Sequence, residues 1–216
     1  MIIIGIDPGK TIGIAVYDTT TRRIVHSETT TDAEDAVGSA LSHECHYSDM
    51  GESVVVAIER PRIYHSAGNE LCDTIEQVGW MFGELKGVYP PPELAPGIFG
   101  GAGSGPVYPP VYLLERRAVV GALSSAMGQQ VRGDAGVWHA LCDLHPDAMR
   151  APVAGRAGRP AEPPRLRAGS KTKWTMGKPE VPAIPAVEAG PLYGVTSHAR
   201  QAVAVAWALA RHLGEV

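Results

Sequence analysis

The first thirty residues contain three strand-like segments joined by tight turns. Residues 2–7 form a continuous β-branched run, Pro8-Gly9 turns the chain, and residues 12–17 form a second apolar run. Residues 22–30 alternate well enough to be a third strand. Because connections this short join only antiparallel neighbours, the sequence predicts an antiparallel meander at the start of the fold.

Helical and strand-like segments alternate in the rest of the chain. An amphipathic segment begins at Asp32, a strand covers residues 52–60, and a helix with apolar positions at helical spacing covers residues 69–86. A short strand at residues 111–114, two short helices and a strong Ala/Val/Leu helix at residues 196–213 follow. This order predicts an α/β fold with a mixed five-stranded sheet, three antiparallel strands and then parallel ones, with helices on both faces.

Two stretches are too rich in Pro and Gly for regular elements, at about residues 87–110 and 147–192. We interpret residues 1–216 as a single domain that carries these stretches as insertions. Residues 151–190 hold seven basic side chains against three acidic ones, although the whole chain has a formal net charge of −4. A basic, flexible segment on an acidic body is suited to contacts with a DNA backbone.

The composition is that of a globular protein, with 44% hydrophobic and 19% charged residues. No apolar run approaches the ~18 residues of a membrane span, so we expect no membrane partner. Cys45, Cys72 and Cys142 lie far apart and form no Cys-x-x-Cys pair. This spacing argues against a zinc site, argues more strongly against a disulfide framework, and favours a location in the reducing cytoplasm.

The stretch "DPGKT" could serve either a phosphate or a metal ion. A phosphate loop of the Walker type needs Gly-x-x-x-x-Gly-Lys-[Ser/Thr] at the start of a helix, whereas a strand follows here. An actin-like kinase does use an Asp turn between antiparallel strands. It also needs a second phosphate turn and an adenosine-binding domain, for which this chain leaves little room. The metal alternative is therefore favoured.

Asp7 and Glu59 each close an apolar strand, where a carboxylate is costly to bury without a cation. Two carboxylates at the ends of neighbouring strands can share Mg²⁺, which also accepts phosphate oxygens as ligands. The alternative is that Asp7 caps the Pro-Gly turn and that Glu59 pairs with Arg60 or Arg62. Because both acids follow apolar strands, we predict a shared metal site.

Three segments, "IIGIDPGKTIGIAVYD", "VVVAIERPRIY" and "GVTSHARQAVAVAWAL", resemble in this order the motifs of the RuvC-like Holliday junction resolvases and their phage-type relatives. The resemblance covers residues 1–86, about 111–145 and 193–213. It implies a ribonuclease H-like fold. It also implies a Mg²⁺-dependent endonuclease, with Mn²⁺ as a substitute, that acts as a homodimer on four-way junctions and other branched DNA in recombination and repair.

The resemblance also implies the site residues. Asp7 and Glu59 correspond to catalytic residues that bind the metal, and His198 corresponds to a His that some members use as a further ligand. Gln201 stands where the family has an Asp, and it offers a neutral carbonyl oxygen instead of a charge. Two alternatives therefore stay open: a catalytically weak homologue that binds branched DNA, and a ribonuclease H-like nuclease that processes RNA.

In the family, the segment after this Glu faces the junction. That position implies DNA contacts for Arg60, Arg62, Tyr64 and His65, although a solvated loop explains these residues equally well. The basic segment adds four further candidates for contact with the phosphate backbone, namely Arg165, Arg167, Lys171 and Lys173.

Two smaller predictions concern helices. Trp80, Met81 and Phe82 of the second helix are candidates for a dimer face, with core packing as the equal alternative. Asp134 is predicted to cap the helix that it opens.

Overall fold

A computed structural model shows one five-stranded sheet covered by helices. It describes residues 1–61, 69–87, 109–145, 147–162, 164–166, 168, 174–195 and 198–216. The strands of the sheet are β1 (Ile2–Asp7), β2 (Ile12–Asp18), β3 (Arg23–Thr30), β4 (Val54–Arg60) and β5 (Val111–Glu115).

The strand order is β3-β2-β1-β4-β5. The pairs β1–β2 and β2–β3 are antiparallel, whereas β1–β4 and β4–β5 are parallel. The predicted ribonuclease H-like sheet, an antiparallel meander followed by parallel strands, is thereby confirmed. Because β1 and β4 are parallel neighbours, their carboxyl ends lie side by side at one edge of the sheet.

Helices cover both faces, as predicted. One face packs against α1 (Ala33–Asp49) and α2 (Asn69–Leu85), and the other packs against α3 (Arg116–Met127), α4 (Gly133–Leu144) and α5 (Ala199–His212). Alternate residues of β1 divide between the two cores: Ile4 belongs to the α1–α2 core and Ile3 to the α5 core. Met81 is fully buried in the first core, while Trp80 beside it is 36% exposed.

Helix α5 lies directly on the sheet because two glycines leave room for it. A Cβ atom on Gly5 would lie 2.1 Å from the carbonyl oxygen of Ala202, and one on Gly13 would lie 2.2 Å from that of His198. The side of α5 that meets the strands is rich in Ala and Val, so the two backbones can approach closely. This packing fixes the first turn of α5 beside the end of β1.

The basic segment forms a paired ribbon where the structure describes it, instead of the predicted flexible insertion. Bridges join Val153 to Val187, Arg156 to Ile184, Arg159 to Val181 and Glu162 to Lys178, and each pair exchanges two backbone hydrogen bonds of 2.8–2.9 Å. The pairing continues into the two-residue strands β6 (Arg165–Leu166) and β7 (Trp174–Thr175). We call residues 153–187 the ribbon.

The ribbon pairs at every third residue, which is the repeat of a polyproline II helix rather than of a β-strand. Pro179, Pro182 and Pro185 follow three successive bridging residues, so their missing N–H groups cost no hydrogen bond of the ribbon. Gly158 lies where a Cβ atom would be 2.9 Å from the amide nitrogen of Ala183. Proline and glycine therefore permit this pairing, although they argue against ordinary strands.

The base of the ribbon is attached to the sheet. Arg23 of β3 forms an ion pair with Glu188 at 2.7 Å and donates to the carbonyl oxygen of Ala189. The other insertion, residues 88–108, lies outside the described residues. Within the described ranges, no helix combines the length and the hydropathy that crossing a membrane requires.

Candidate active site

Asp7 and Glu59 lie side by side where β1 and β4 end. The parallel register pairs Ile6 with Ile58, so the next residue of each strand is a carboxylate at the same edge of the sheet. Both side chains are largely buried, with exposed fractions of 14% for Asp7 and 12% for Glu59. The structure thus brings together the two acids that the sequence singled out.

His198 approaches Asp7 from the start of α5. Its Nδ1 atom lies 3.5 Å from Oδ2 of Asp7, and half of its side chain is exposed. His198 is the N-cap residue of α5 and makes no capping hydrogen bond with its side chain, so the imidazole is not committed to the helix end. Among the described basic residues, only His198 forms an ion-pair contact within 4 Å of Asp7.

Arg116 occupies the centre of the cluster and was not anticipated from the sequence. It is the first residue of α3, directly after β5. Its Nη1 atom lies 3.1 Å from Oε2 of Glu59 and donates to Oε1 of Gln201 at 2.8 Å. Its Nη2 atom donates to Oδ1 of Asp134. One guanidinium therefore contacts Glu59, Asp134 and Gln201 together, in the fork geometry typical of arginine.

Asp134 adds a third carboxylate to the site. The prediction that it caps α4 is wrong. The N-cap residue of α4 is Arg132, and Asp134 lies within the first turn with its side chain on Arg116. The backbone carbonyl of Asp134 also accepts a hydrogen bond of 3.4 Å from Nε2 of Gln201. Gln201 thus connects Arg116 to the start of α4.

A sequence signal for Arg116 did exist. Strand β5 is the parallel neighbour of β4 and ends at Glu115, so Arg116, which follows directly, reaches the same edge as Glu59. Polar residues directly after a parallel strand next to a candidate site are themselves candidates for that site. Asp134 is harder to find because its position depends on how α3 and α4 pack.

The electrostatics of the cluster favour a cation. Burial, followed by the neighbouring charge of Glu59, raises the pKa of Asp7 to about 7, and Arg116 offsets this only in part. Burial also raises the pKa of Glu59, against the opposing effect of Arg116. Both carboxylates therefore ionise reluctantly in this arrangement. A divalent ion between them would supply the missing positive charge, and oxygen ligands are those that Mg²⁺ prefers.

The structure describes only some of the residues that the sequence predicts to contact DNA. Arg60 ends β4 with an exposed side chain. Arg62, Tyr64 and His65 lie outside the described residues, as do Arg167, Lys171 and Lys173. The backbone of Arg165 belongs to β6, but its side chain is not described. Arg156 and Arg159 of the ribbon are exposed and join Arg60 as described basic residues at the surface.

The sheet topology is that of a ribonuclease H-like fold, with a carboxylate cluster at the ends of its central parallel strands. No family model and no curated protein matches the chain. Among solved structures it is similar to T. thermophilus RuvC in complex with a Holliday junction substrate. The identity is 17% and the TM-score 0.47, over 100% of this chain and 97% of that chain.

A second structure of Thermus thermophilus RuvC is similar at 16% identity and a TM-score of 0.47, over 100% of this chain and 98% of that one. Both structures are RuvC proteins, the family whose motifs the sequence resembles. At this level of identity the likeness concerns the fold alone.

Proposed function

We propose that the chain is a metal-dependent endonuclease that cleaves Holliday junctions or other branched DNA. The observation that carries the proposal is the convergence of Asp7, Glu59 and Asp134 at one edge of the sheet. Asp7 and Glu59 are buried acids of raised pKa, and such acids gather at functional sites more often than elsewhere. The order of the three sequence motifs adds the substrate class, because they resemble those of junction resolvases.

Asp7, Glu59, Asp134 and His198 are the side chains that would hold Mg²⁺ or Mn²⁺. When bound, such ions activate a water molecule and stabilise the leaving oxygen of a phosphodiester. Asp7 and Glu59 would keep their positions because strand pairing fixes both backbones. Arg116, which contacts Glu59 and Asp134 through one guanidinium, would hold those carboxylates at a fixed separation.

The DNA contacts in this proposal come from two regions. Arg60 follows Glu59 directly and could contact the phosphates beside the cleaved bond. The ribbon carries the exposed Arg156 and Arg159, and the sequence that links its two strands contains the further basic candidates Arg167, Lys171 and Lys173. A homodimer would present two such sites to the roughly two-fold shape of a junction. We keep a cytoplasmic location as part of the same proposal, because all three cysteines are free.

The test is cleavage of a labelled four-way junction by the full chain in Mg²⁺, Mn²⁺ or EDTA. We expect paired nicks with either metal and none in EDTA. The variants Asp7→Asn and Glu59→Gln should lose cleavage and keep binding in a gel-shift assay, because each removes a ligand and lessens repulsion of phosphate. Glu115→Gln is the matched control, since this glutamate closes the adjacent strand β5 but pairs with Arg117.

A second function, binding of branched DNA without efficient cleavage, is favoured by one observation. Arg116 already contacts two of the three carboxylates, so part of the negative charge that a metal needs is neutralised. Under this alternative, the wild type binds junctions in EDTA and in Mg²⁺ alike and leaves them intact. A matched RNA junction in the same assay tests the RNA-processing alternative.

A further inference from the structure

A second group of metal-ligating side chains lies between β3 and α1. His26 and Glu28 are two residues apart on β3, so both point to the same side of this edge strand. Helix α1 faces them with Ser39 and His43, one helical turn apart. The hydroxyl of Ser39 donates to Oε1 of Glu28, and the ring of His43 lies against the ring of His26.

The geometry brings three potential ligand atoms together. One atom each from His26, Glu28 and His43 lies within 4.8 Å of the others. Nε2 of His26 is 3.4 Å from Oε2 of Glu28, and the two imidazole centroids are 4.5 Å apart with their planes tilted by 44°. Ligand atoms around a tetrahedral Zn²⁺ are roughly 3.3 Å apart, so small side-chain rotations would close the site.

Nε2 of His26 is the atom that most needs a partner. It is buried, and its contact with Oε2 of Glu28, at 3.4 Å, is too long for a strong hydrogen bond. A buried ring nitrogen with so weak a partner is costly, and a metal ion would use its lone pair.

The surroundings of the two other groups are compatible with metal binding. Burial and then the neighbouring His26 lower the pKa of His43, which favours the neutral imidazole. Burial opposes ionisation of Glu28, but the hydrogen bond from Ser39 and the proximity of His26 outweigh it and lower the pKa of that carboxyl. The donor set is thus two imidazoles and one carboxylate.

This group is separate from the carboxylate cluster. His26 pairs with Val16 and Glu28 with Ile14, and both partners belong to the core beneath α1. Asp7 lies beside the first turn of α5, which packs on the opposite face of the sheet. The sheet separates the two groups, so an ion at one would not share ligands with an ion at the other.

We propose that His26, Glu28 and His43 form a binding site for a divalent transition-metal ion of the Zn²⁺ class. Imidazole nitrogens favour such ions over Mg²⁺. The bound ion would connect the edge strand β3 to α1 and leave a coordination position for water or another ligand. The sequence contains no spacing signal for this site, because its ligands come from two elements that meet only in the folded chain.

The test is metal binding to the untagged full chain after treatment with a chelator. Titration with Co²⁺ should produce the visible absorption of nitrogen-ligated cobalt, and Zn²⁺ should displace it. Loss of a group that merely orients a metal ligand already weakens binding about 10–100-fold, so His43→Gln and His26→Gln should weaken Zn²⁺ binding by at least about tenfold. Glu28→Gln should weaken it as well.

Two controls distinguish binding at this site from binding elsewhere on the chain. His46→Gln removes a histidine of the same helix whose ring contacts Tyr47, and it should leave the cobalt spectrum unchanged. The double variant Asp7→Asn/Glu59→Gln removes the carboxylate cluster, and it should retain the spectrum too. Circular dichroism in EDTA checks that each variant folds. His26 lies on an edge strand with a partly exposed side chain, so it is the substitution least disruptive to the core.

The outcomes are distinct. If folded His26→Gln and His43→Gln both bind Zn²⁺ as tightly as the wild type, the proposal is wrong. It is also wrong if the cobalt spectrum disappears in Asp7→Asn/Glu59→Gln, because the ion would then belong to the carboxylate cluster. Failure of junction cleavage would overturn the proposed function and would leave this site unaffected.

Discussion

Asp7→Asn should make the metal-free protein more stable at neutral and alkaline pH. Asp7 has a pKa of about 7 in the folded chain against an ordinary value of 3.8, so its ionisation is disfavoured by folding. The contribution of Asp7 to stability is greatest below about pH 4 and is lost as the pH rises to about 7 and beyond. A shift of three pKa units corresponds to about 4 kcal/mol at 1.36 kcal/mol per unit.

Asn cannot ionise, so the variant does not lose folding stability as the pH rises. In EDTA at pH 8 we expect Asp7→Asn to unfold with a free energy about 2–4 kcal/mol higher than that of the wild type. At pH 5 Asp7 is largely protonated in the folded wild type but largely ionised in the unfolded chain, so the advantage of the variant should shrink to about 1.5 kcal/mol. The measurement is urea-induced unfolding at both pH values.

Added Mg²⁺ should reverse the order at pH 8. An ion that binds only the folded state stabilises it by an amount that grows with the ratio of ion concentration to Kd. The wild type should therefore gain stability, whereas Asp7→Asn, which lacks one ligand, should gain little. A wild type that shows no Mg²⁺-dependent stabilisation would argue against the assignment of Asp7 as a metal ligand.

Asp18 is the matched control, because it closes β2 at the opposite end of the β1–β2 pair. Burial opposes its ionisation, but the hydrogen bonds from Thr21 and Thr20 together outweigh burial and lower its pKa. The stability that Asp18 contributes is present above its unfolded pKa and is lost as the pH falls. Asp18→Asn should therefore destabilise the protein at pH 8. If Asp7→Asn behaves like Asp18→Asn at pH 8, the electrostatic reasoning about Asp7 is refuted.

Three further substitutions test the rest of the structure. Gln201→Asp should lower the Mg²⁺ concentration needed for half-maximal junction cleavage, whereas the neutral Gln201→Asn should not. If Gln201→Asp and the wild type need the same Mg²⁺ concentration, residue 201 lies outside the metal site. Arg156→Gln with Arg159→Gln should reduce the slope of log binding constant against log salt by about 2 if each contacts one phosphate, and an unchanged slope would exclude the ribbon from the interface. Gly5→Ala should destabilise the protein by roughly 1–3 kcal/mol because α5 must move away from β1, whereas Gly9→Ala, with its nearest neighbour at 3.7 Å, should be tolerated; measured melting temperatures decide between them.

The strands and helices could be predicted because their signals are local. The β-branched run of β1 and the Pro-Gly turn after it define an antiparallel pair without any knowledge of the rest of the chain. The proximity of Asp7 and Glu59 followed in part from local evidence, since each acid closes an apolar strand. That the two strands are parallel neighbours is a property of the folded sheet, which no local signal carries.

The remaining site residues were harder to predict: Arg116 had a weak signal in its place directly after a strand, whereas the position of Asp134 depends on tertiary packing alone. Arg116 reaches Glu59 only because β5 pairs with β4, and Asp134 reaches Arg116 only because α4 packs beside α3. The prediction that the ribbon has no regular structure is wrong for another reason. Pro and Gly disfavour β-strands and α-helices, but prolines three residues apart are compatible with paired polyproline II segments. The period of the prolines was the informative feature, rather than their number.

Arg116 changes the charge balance that a metal ion would meet in the proposed nuclease. Asp7, Glu59 and Asp134 supply three negative charges, and the guanidinium offsets one of them. One Mg²⁺ would therefore balance the charge of these four side chains, and a second ion would leave an excess of two positive charges. Each phosphate of a bound DNA strand carries one negative charge, so DNA phosphates at the site would offset this excess. Arg116 contacts both Glu59 and Asp134, but of these two carboxylates only Asp134 is well exposed. The second ion and its phosphate would therefore enter from the Asp134 side of the site. On the proposed function, complete assembly of the metal centre then depends on DNA, which limits cleavage to occasions when a substrate phosphate is already in place.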